Sequence, residues 1–233
     1  MQDPAKNNKV TLIIIFTLIG LLVGGAVAYP IGRSMMDDTK SNSSMTQDSS
    51  TMTKAAGLRV TLNNLLREHV TTNLTVSYNI IDKAPEAKMK ASLDAQTANA
   101  VAIATAVGSV YGDDAKTAIT QPFVDHLTQS NNYAKAVVAN DMAGQATSLA
   151  ALQVNLRQIA DVFNSVIPSL PSDTLYGALN DHETLMNQIA VAYQAGDFNK
   201  AYELEAQALT QISGGADALA GGIVASKPDT FKN

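Results

Sequence analysis

The chain repeats itself at a period of about 56 residues, and that repeat limits its fold more than any other feature. Its three histidines, His69, His126 and His182, stand 57 and 56 positions apart, and each follows an acid, in "REHV", "VDHL" and "NDHE". Sliding the chain by 56 lays "GSVYGDDAKTAITQPFVDH" (108–126) on "NSVIPSLPSDTLYGALNDH" (164–182) without a gap. Asn140-Asp141 then falls on Gly196-Asp197, Leu93 on Leu149 and Asn99 on Asn155, and the first copy needs one extra residue near "DKAPEA" (82–87). A unit this short cannot bury its own apolar face, so the copies must pack on one another.

Each copy reads as a helical hairpin. The first helix carries the acid–His pair, and a tight turn follows near Pro85, at Asn140-Asp141 and at Gly196-Asp197. Asp141 and Asp197 are suited to cap the next helix, because a carboxylate can accept from its unpaired first amides. The Ala-rich composition favours helix, since Ala costs least there. The spacing predicts helices over roughly 56–82, 86–107, 113–139, 141–165, 173–195 and 197–219. Breaks are expected at "GSVYGDD" (108–114) and "IPSLPSD" (167–173), and Pro122 predicts a kink or a late start in the third helix. The expected fold is therefore all-α: three tandem hairpins, six helices, in a bundle or a short superhelix over 56–220. The Gly/Lys/Pro-containing tail, 221–233, reads as loosely ordered.

Upstream, residues 10–29, "VTLIIIFTLIGLLVGGAVAY", carry no charge. Twenty residues at about 1.5 Å each span a hydrocarbon core of about 30 Å. The reading is a transmembrane anchor behind a short cytoplasmic segment, 1–9. A cleaved signal peptide is the alternative, since Ala26-Val27-Ala28 resembles a small-x-small cleavage site. Both place the C-terminal domain outside the cytoplasm, as a single-pass protein with its N-terminus inside or as a secreted one. Gly20 and Gly24 form a GxxxG that can seat a second copy and form a homodimer. Residues 30–55 are rich in Ser, Thr, Asp and Met and too poor in bulky apolar residues to fold, so they read as a disordered tether. Met35, Met36, Met45 and Met52 could offer thioethers to Cu(I), but their irregular spacing fits plain low complexity better.

Two resemblances add to this. "AYQAGDFNKAYELEAQAL" (192–209) resembles the turn and second helix of a tetratricopeptide unit, although the period is far from that family's 34 residues. "LLREHV" (65–70), "SLDAQTANA" (92–100) and "GSVYGDD" (108–114) are similar to a group of exported or membrane-anchored bacterial all-α proteins, over most of residues 58–220. In that group a Trp commonly precedes the middle histidine, whereas this chain has "TQPFVDH". The resemblance implies fold and location and assigns no activity.

Helical spacing puts the histidines on apolar faces. Leu62, Leu65, Leu66, Val76 and Ile80 share a face with His69; Ile119, Phe123, Tyr133 and Val137 with His126; Leu175, Leu179, Met186, Ile189 and Tyr193 with His182. All three therefore point to the core edge. Three readings are open. Each histidine could fill a half-buried packing site and bond a neighbour, copied with the repeat. His69, His126 and His182 could hold a transition-metal ion such as Zn, Cu, Fe or Ni, assisted by Glu68, Asp125 and Asp181. That needs the hairpins to close around a threefold axis, because in an open array the copies stand about 8–10 Å apart. Third, exposed imidazoles could sense pH near neutral.

Other chemistry lacks a signature. "HETLM" (182–186) has no second His to make a zincin helix, and the chain has no G-x-S-x-G, phosphate loop or Cys. A Ser-His-Asp set is not marked by any one Ser. "NLT" (73–75) and "NSS" (42–44) match glycosylation acceptors, the first inside an expected helix. A net charge of −5 argues against nucleic acid. The sequence thus describes a tethered extracytoplasmic helical module that binds a protein or surface-polymer partner, or else a metal-binding helical domain, in either case with no sign of an enzyme.

Overall fold

The computed structural model describes residues 53–232. The segment 1–9, the span 10–29 with Gly20 and Gly24, residues 30–52 of the tether with their four methionines, and the "NSS" triplet lie outside the described residues. Among the described residues, no helix is long and apolar enough to cross a membrane.

Six helices follow one another: α1 (Lys54–Ile81), α2 (Glu86–Tyr111), α3 (Asp113–Val138), α4 (Met142–Val166), α5 (Ser172–Gln194) and α6 (Phe198–Ser226), with a 3-10 turn at Pro228–Phe231. The three hairpin turns share one geometry, as their repeat equivalence requires. Lys83, Asn140 and Gly196 each take positive φ, at 52°, 53° and 76°. The next amide reaches back to the last helical turn each time: Ala84 N to Asn79 O at 2.9 Å, Asp141 N to Ala136 O at 2.9 Å, and Asp197 N to Ala192 O at 3.0 Å. This left-handed C-cap satisfies carbonyls that the helix end leaves free. Asp141 and Asp197 then cap the second helices through the amides of Gly144 (2.9 Å) and Lys200 (3.1 Å), as their sequence positions predict. In the first copy, Pro85 takes the capping position without a side-chain bond, so the extra residue lies where the sequence alignment needs it.

The helices close into a bundle with threefold pseudosymmetry. α1, α3 and α5 pack on one another at the centre, while α2, α4 and α6 each bridge two of them from outside, and α6 returns to α1. Leu62, Val70, Ile103, Ile189 and Ile223 are wholly buried in the shared core. Burial of one such side chain stabilises by about 1.5–3 kcal/mol. Arg59 Nε on α1 donates to Asp217 Oδ1 on α6 at 2.7 Å, and Asn63 Nδ2 donates to the same oxygen at 2.7 Å. These groups are largely exposed, so they set the register of the ring's closure more than its stability.

Three expectations need correction. α3 runs unbroken from Asp113 through Pro122, so there is no late start. α2 continues to Tyr111, and the break narrows to Gly112, whose φ of 94° suits glycine. The tail is not loose from residue 221: α6 continues to Ser226, and Phe231 packs against the core. Gly221-Gly222 reads as a helix stop, but Gly222 is there for space. A Cβ at Gly222 would lie 2.6 Å from Leu170 Cγ, whereas one at Gly221 would meet nothing within 4 Å. Gly222→Ala is expected to destabilise by about 1–3 kcal/mol through overpacking. Gly221→Ala should instead stabilise by roughly 0.5–1 kcal/mol, the helix-propensity difference. Urea denaturation of the two variants beside the parent gives the sign of each.

Candidate functional site

The closed ring brings the histidines together, because they come from its three central helices. His69 on α1 has ring-centroid distances of 5.9 Å to His126 on α3 and 5.9 Å to His182 on α5. They do not stand at the core edge: they are 3%, 3% and 2% exposed. Phe123 walls one side, edge-on to the His69 ring at 6.0 Å, and Phe163 packs on Phe123 at 5.9 Å.

The outer helices supply a matching set of amides. Asn99 Nδ2 on α2 donates to Leu65 O at 2.9 Å, Asn155 Nδ2 on α4 donates to Pro122 O at 2.9 Å, and Gln211 Nε2 on α6 donates to Ala178 O at 2.9 Å. Each acceptor is the carbonyl four residues before a histidine. In the first two copies the other end of the amide meets that histidine. Hydrogen bonding from the His69 ring N–H to the Asn99 side chain, and from His126 to Asn155, favours the protonated imidazoles. These contacts are looser than well-aligned bonds: Nδ1 of all three histidines and the oxygens Asn99 Oδ1, Asn155 Oδ1 and Gln211 Oε1 have no close partner in good geometry. The sequence repeat matches Asn99 with Asn155, but Gln211 is one methylene longer and breaks the pattern.

Burial dominates the electrostatics. Desolvation lowers His69 to about 4 and His126 to about 3, the nearby His69 helping in the second case. His182 is lowered by the same burial, then by His69 and His126. All three are therefore neutral at pH 7, and the expectation that they sense pH near neutral fails because none is exposed to water. The group that does titrate near neutral is Glu183, raised to about 7 by burial, with Asn187 pulling weakly the other way.

The acids before the histidines do not join them. Glu68 and Asp181 are exposed and Asp125 is half-buried. Glu68 accepts from Asn99 Nδ2 at 3.2 Å and Asp125 from Gln121 Nε2 at 2.9 Å, so both have partners elsewhere. The residue before each histidine lies about 100° round the helix, and there that turn is away from the bundle centre, towards solvent or its edge. The acid that does reach the centre comes after a histidine: Glu183 is 3% exposed, and its Oε2 lies 3.6 Å from His126 Nε2.

A second polar layer lies one helical turn beyond. Gln96 Nε2 donates to Asn73 Oδ1 (3.2 Å), and Asn131 Nδ2 donates to Gln96 Oε1 (3.0 Å). Asn73 of the "NLT" triplet is wholly buried there, which leaves no room for a glycan. Two hollows flank the histidines. An apolar cavity of about 90 Å³ borders His182, Phe123, Phe163 and Ile212. On the Glu183 side, an open cleft of about 780 Å³ lies among Tyr133, Leu152, Asn187 and Leu204. Among the described residues, no group of three or more His, Asp or Glu side chains is placed, as it stands, to hold a metal ion. Comparison of the chain with protein-family models, curated proteins and solved structures found no match.

Proposed function

We propose that this chain is a membrane-tethered, extracytoplasmic helical module that binds a transition-metal ion at His69, His126 and His182. The observation that carries the reading is the convergence of three neutral, buried imidazoles from three repeat-equivalent helices, two of them backed by an amide. A metal-ligating histidine uses one nitrogen for the ion and gives its other N–H to an oxygen that fixes the ring. Asn99 and Asn155 supply such oxygens for His69 and His126. Neutral imidazole at pH 7 has its lone pair free without losing a proton first.

Distance also favours it. With Zn–N near 2.0–2.1 Å and tetrahedral angles, ring centroids around one ion stand about 5 Å apart. The 5.9 Å pairs exceed that by under about 1 Å. A pure packing role accounts less well for the same centre. His182 keeps both ring nitrogens unpaired while buried, and Glu183 has no hydrogen bond in good geometry, Asn187 approaching it only loosely. Each such atom costs about 1–3 kcal/mol if nothing compensates it. The tether and the outward placement rest on the uncharged span 10–29 and the tract after it.

The test is a thermal melt of the full chain in detergent, without an affinity tag. A metal at a hundred times its Kd stabilises by about 2.7 kcal/mol. For a domain of this size that raises Tm by about 5–10 °C. Zn, Co, Ni or Cu should produce this shift in the parent, and a folded His69/His126/His182→Gln variant should lose it. Equal melting with and without all four ions would refute the proposal.

A further inference from the structure

The repeat makes one residue conspicuous. The position after the histidine is Val70 in the first copy and Leu127 in the second, both core residues at 0% and 3% exposure. In the third copy the same buried position holds Glu183, at 3%. A carboxylate placed where the fold otherwise puts aliphatic side chains is costly unless something of opposite charge meets it. Its surroundings in the chain do not supply that charge. Neither carboxylate oxygen has a hydrogen bond in good geometry among the described residues, and the neutral amide of Asn187, which favours the charged form, brings no charge. Lys200 borders the cleft outside, but its ammonium pairs with Glu203 at 3.2 Å.

The Glu183 Oε2 to His126 Nε2 separation of 3.6 Å is too long for a hydrogen bond. It is close to the spacing of two donor atoms on one ion, about 3.3 Å for Zn–N and Zn–O bonds of about 2.0–2.2 Å at tetrahedral angles. We propose that Glu183 is the fourth ligand of the metal centre, and that the cleft beside Tyr133 and Asn187 is the route by which the ion reaches it. This inference rests on the three-histidine reading above. Three neutral imidazoles and one carboxylate make a nitrogen-rich set with a single negative charge. That set suits Zn, Co, Ni or Cu and not the all-oxygen preference of Ca or Mg. It also fills the tetrahedron, leaving no open position for a reacting water, so the site retains an ion and does not activate a nucleophile.

The probe is Co(II), whose visible bands report coordination number and exogenous ligands. The full chain in detergent is stripped with chelator, loaded with Co(II), and titrated with azide, beside Glu183→Gln and Glu183→Ala. Circular dichroism confirms that each variant is folded, and Gln keeps the shape of Glu if Ala does not fold. The parent spectrum should be tetrahedral and unchanged by azide. Both variants should bind Co(II) at least tenfold more weakly, and azide should shift their bands by entering the opened position. Co(II) bound by the variants with parental affinity and spectrum, or azide binding equally to the parent, would overturn the role of Glu183 alone. No Co(II) on the parent would overturn the three-histidine site beneath it.

Discussion

Acidifying the metal-free protein from pH 7 to pH 4.5 is expected to unfold it, and the cause is the histidine centre. His69 and His126 take up protons near 4 and 3 in the folded state but near 6.5 in the unfolded chain. The unfolded state therefore binds more protons as pH falls below about 6.5, and the stability that neutral imidazoles contribute is lost down to their folded values. His182 acts in the same direction. Glu183 acts against them. Its folded value is near 7 and its unfolded value 4.5, so its cost is fully felt above pH 7 and relieved as pH drops towards 4.5. Three groups against one leave a net slope of roughly 2–3 kcal/mol per pH unit between about 6.5 and 4.5. Over that window the loss matches the whole stability of an ordinary domain, about 5–15 kcal/mol. Urea midpoints measured at half-unit intervals in chelator give the curve. Glu183→Gln should be more stable than the parent at pH 8 and fall more steeply below 6.5, because the opposing group is gone. The histidine triple variant should instead gain stability as pH falls from 7 towards 4.5, because Glu183 then acts alone, and a flat parent curve between pH 7 and 5 would show that the imidazoles are not desolvated as described.

Phe123→Ala is the second large effect. The ring is 6% exposed, edge-on to His69 at 6.0 Å and to Phe163 at 5.9 Å. Truncation removes its transfer free energy and leaves a cavity, together about 3–5 kcal/mol, with the aromatic contacts inside that figure. It also enlarges the apolar hollow beside His182 and lets water towards His69. The variant should therefore show a weaker acid transition as well as a lower urea midpoint, because a rehydrated imidazole titrates closer to 6.5. Phe123→Leu, which keeps most of the volume, should recover most of both. A midpoint shift equivalent to less than about 1 kcal/mol for the Ala variant would mean the wall is not packed as the structure has it.

The sequence carried the helices well, because a repeat reports each boundary three times. Asp141 and Asp197 marked the second helices, and all six predicted spans fall on observed ones, with α2 and α6 running further than expected. It misled where glycine served packing and not conformation: Gly108 lies where a Cβ would come within 2.7 Å of Lys116 Cβ, and Gly222 seats Leu170. Both glycines sit inside continuous helices, and both read as breaks. Three histidines on apolar faces were visible, but their burial was not, since periodicity gives a direction and not a depth. The assisting acids were chosen for repeating with the histidines, as Glu68, Asp125 and Asp181 do. The repeat in fact pointed the other way: the acid that matters, Glu183, is the one the other copies lack. The amides were harder to see. Asn99 and Asn155 align, but an Asn on the helix after a histidine's own gives no sign of facing it until the hairpin is packed.

Metal content of the tag-free full chain is measured by elemental analysis after dialysis against Zn, Co, Ni and Cu in turn. A site at the three histidines requires one equivalent of at least one of these ions on the parent and none on the folded His69/His126/His182→Gln variant. Substoichiometric metal on the parent with every ion, or equal amounts on parent and variant, would contradict it and leave the three histidines as a packing feature copied with the repeat.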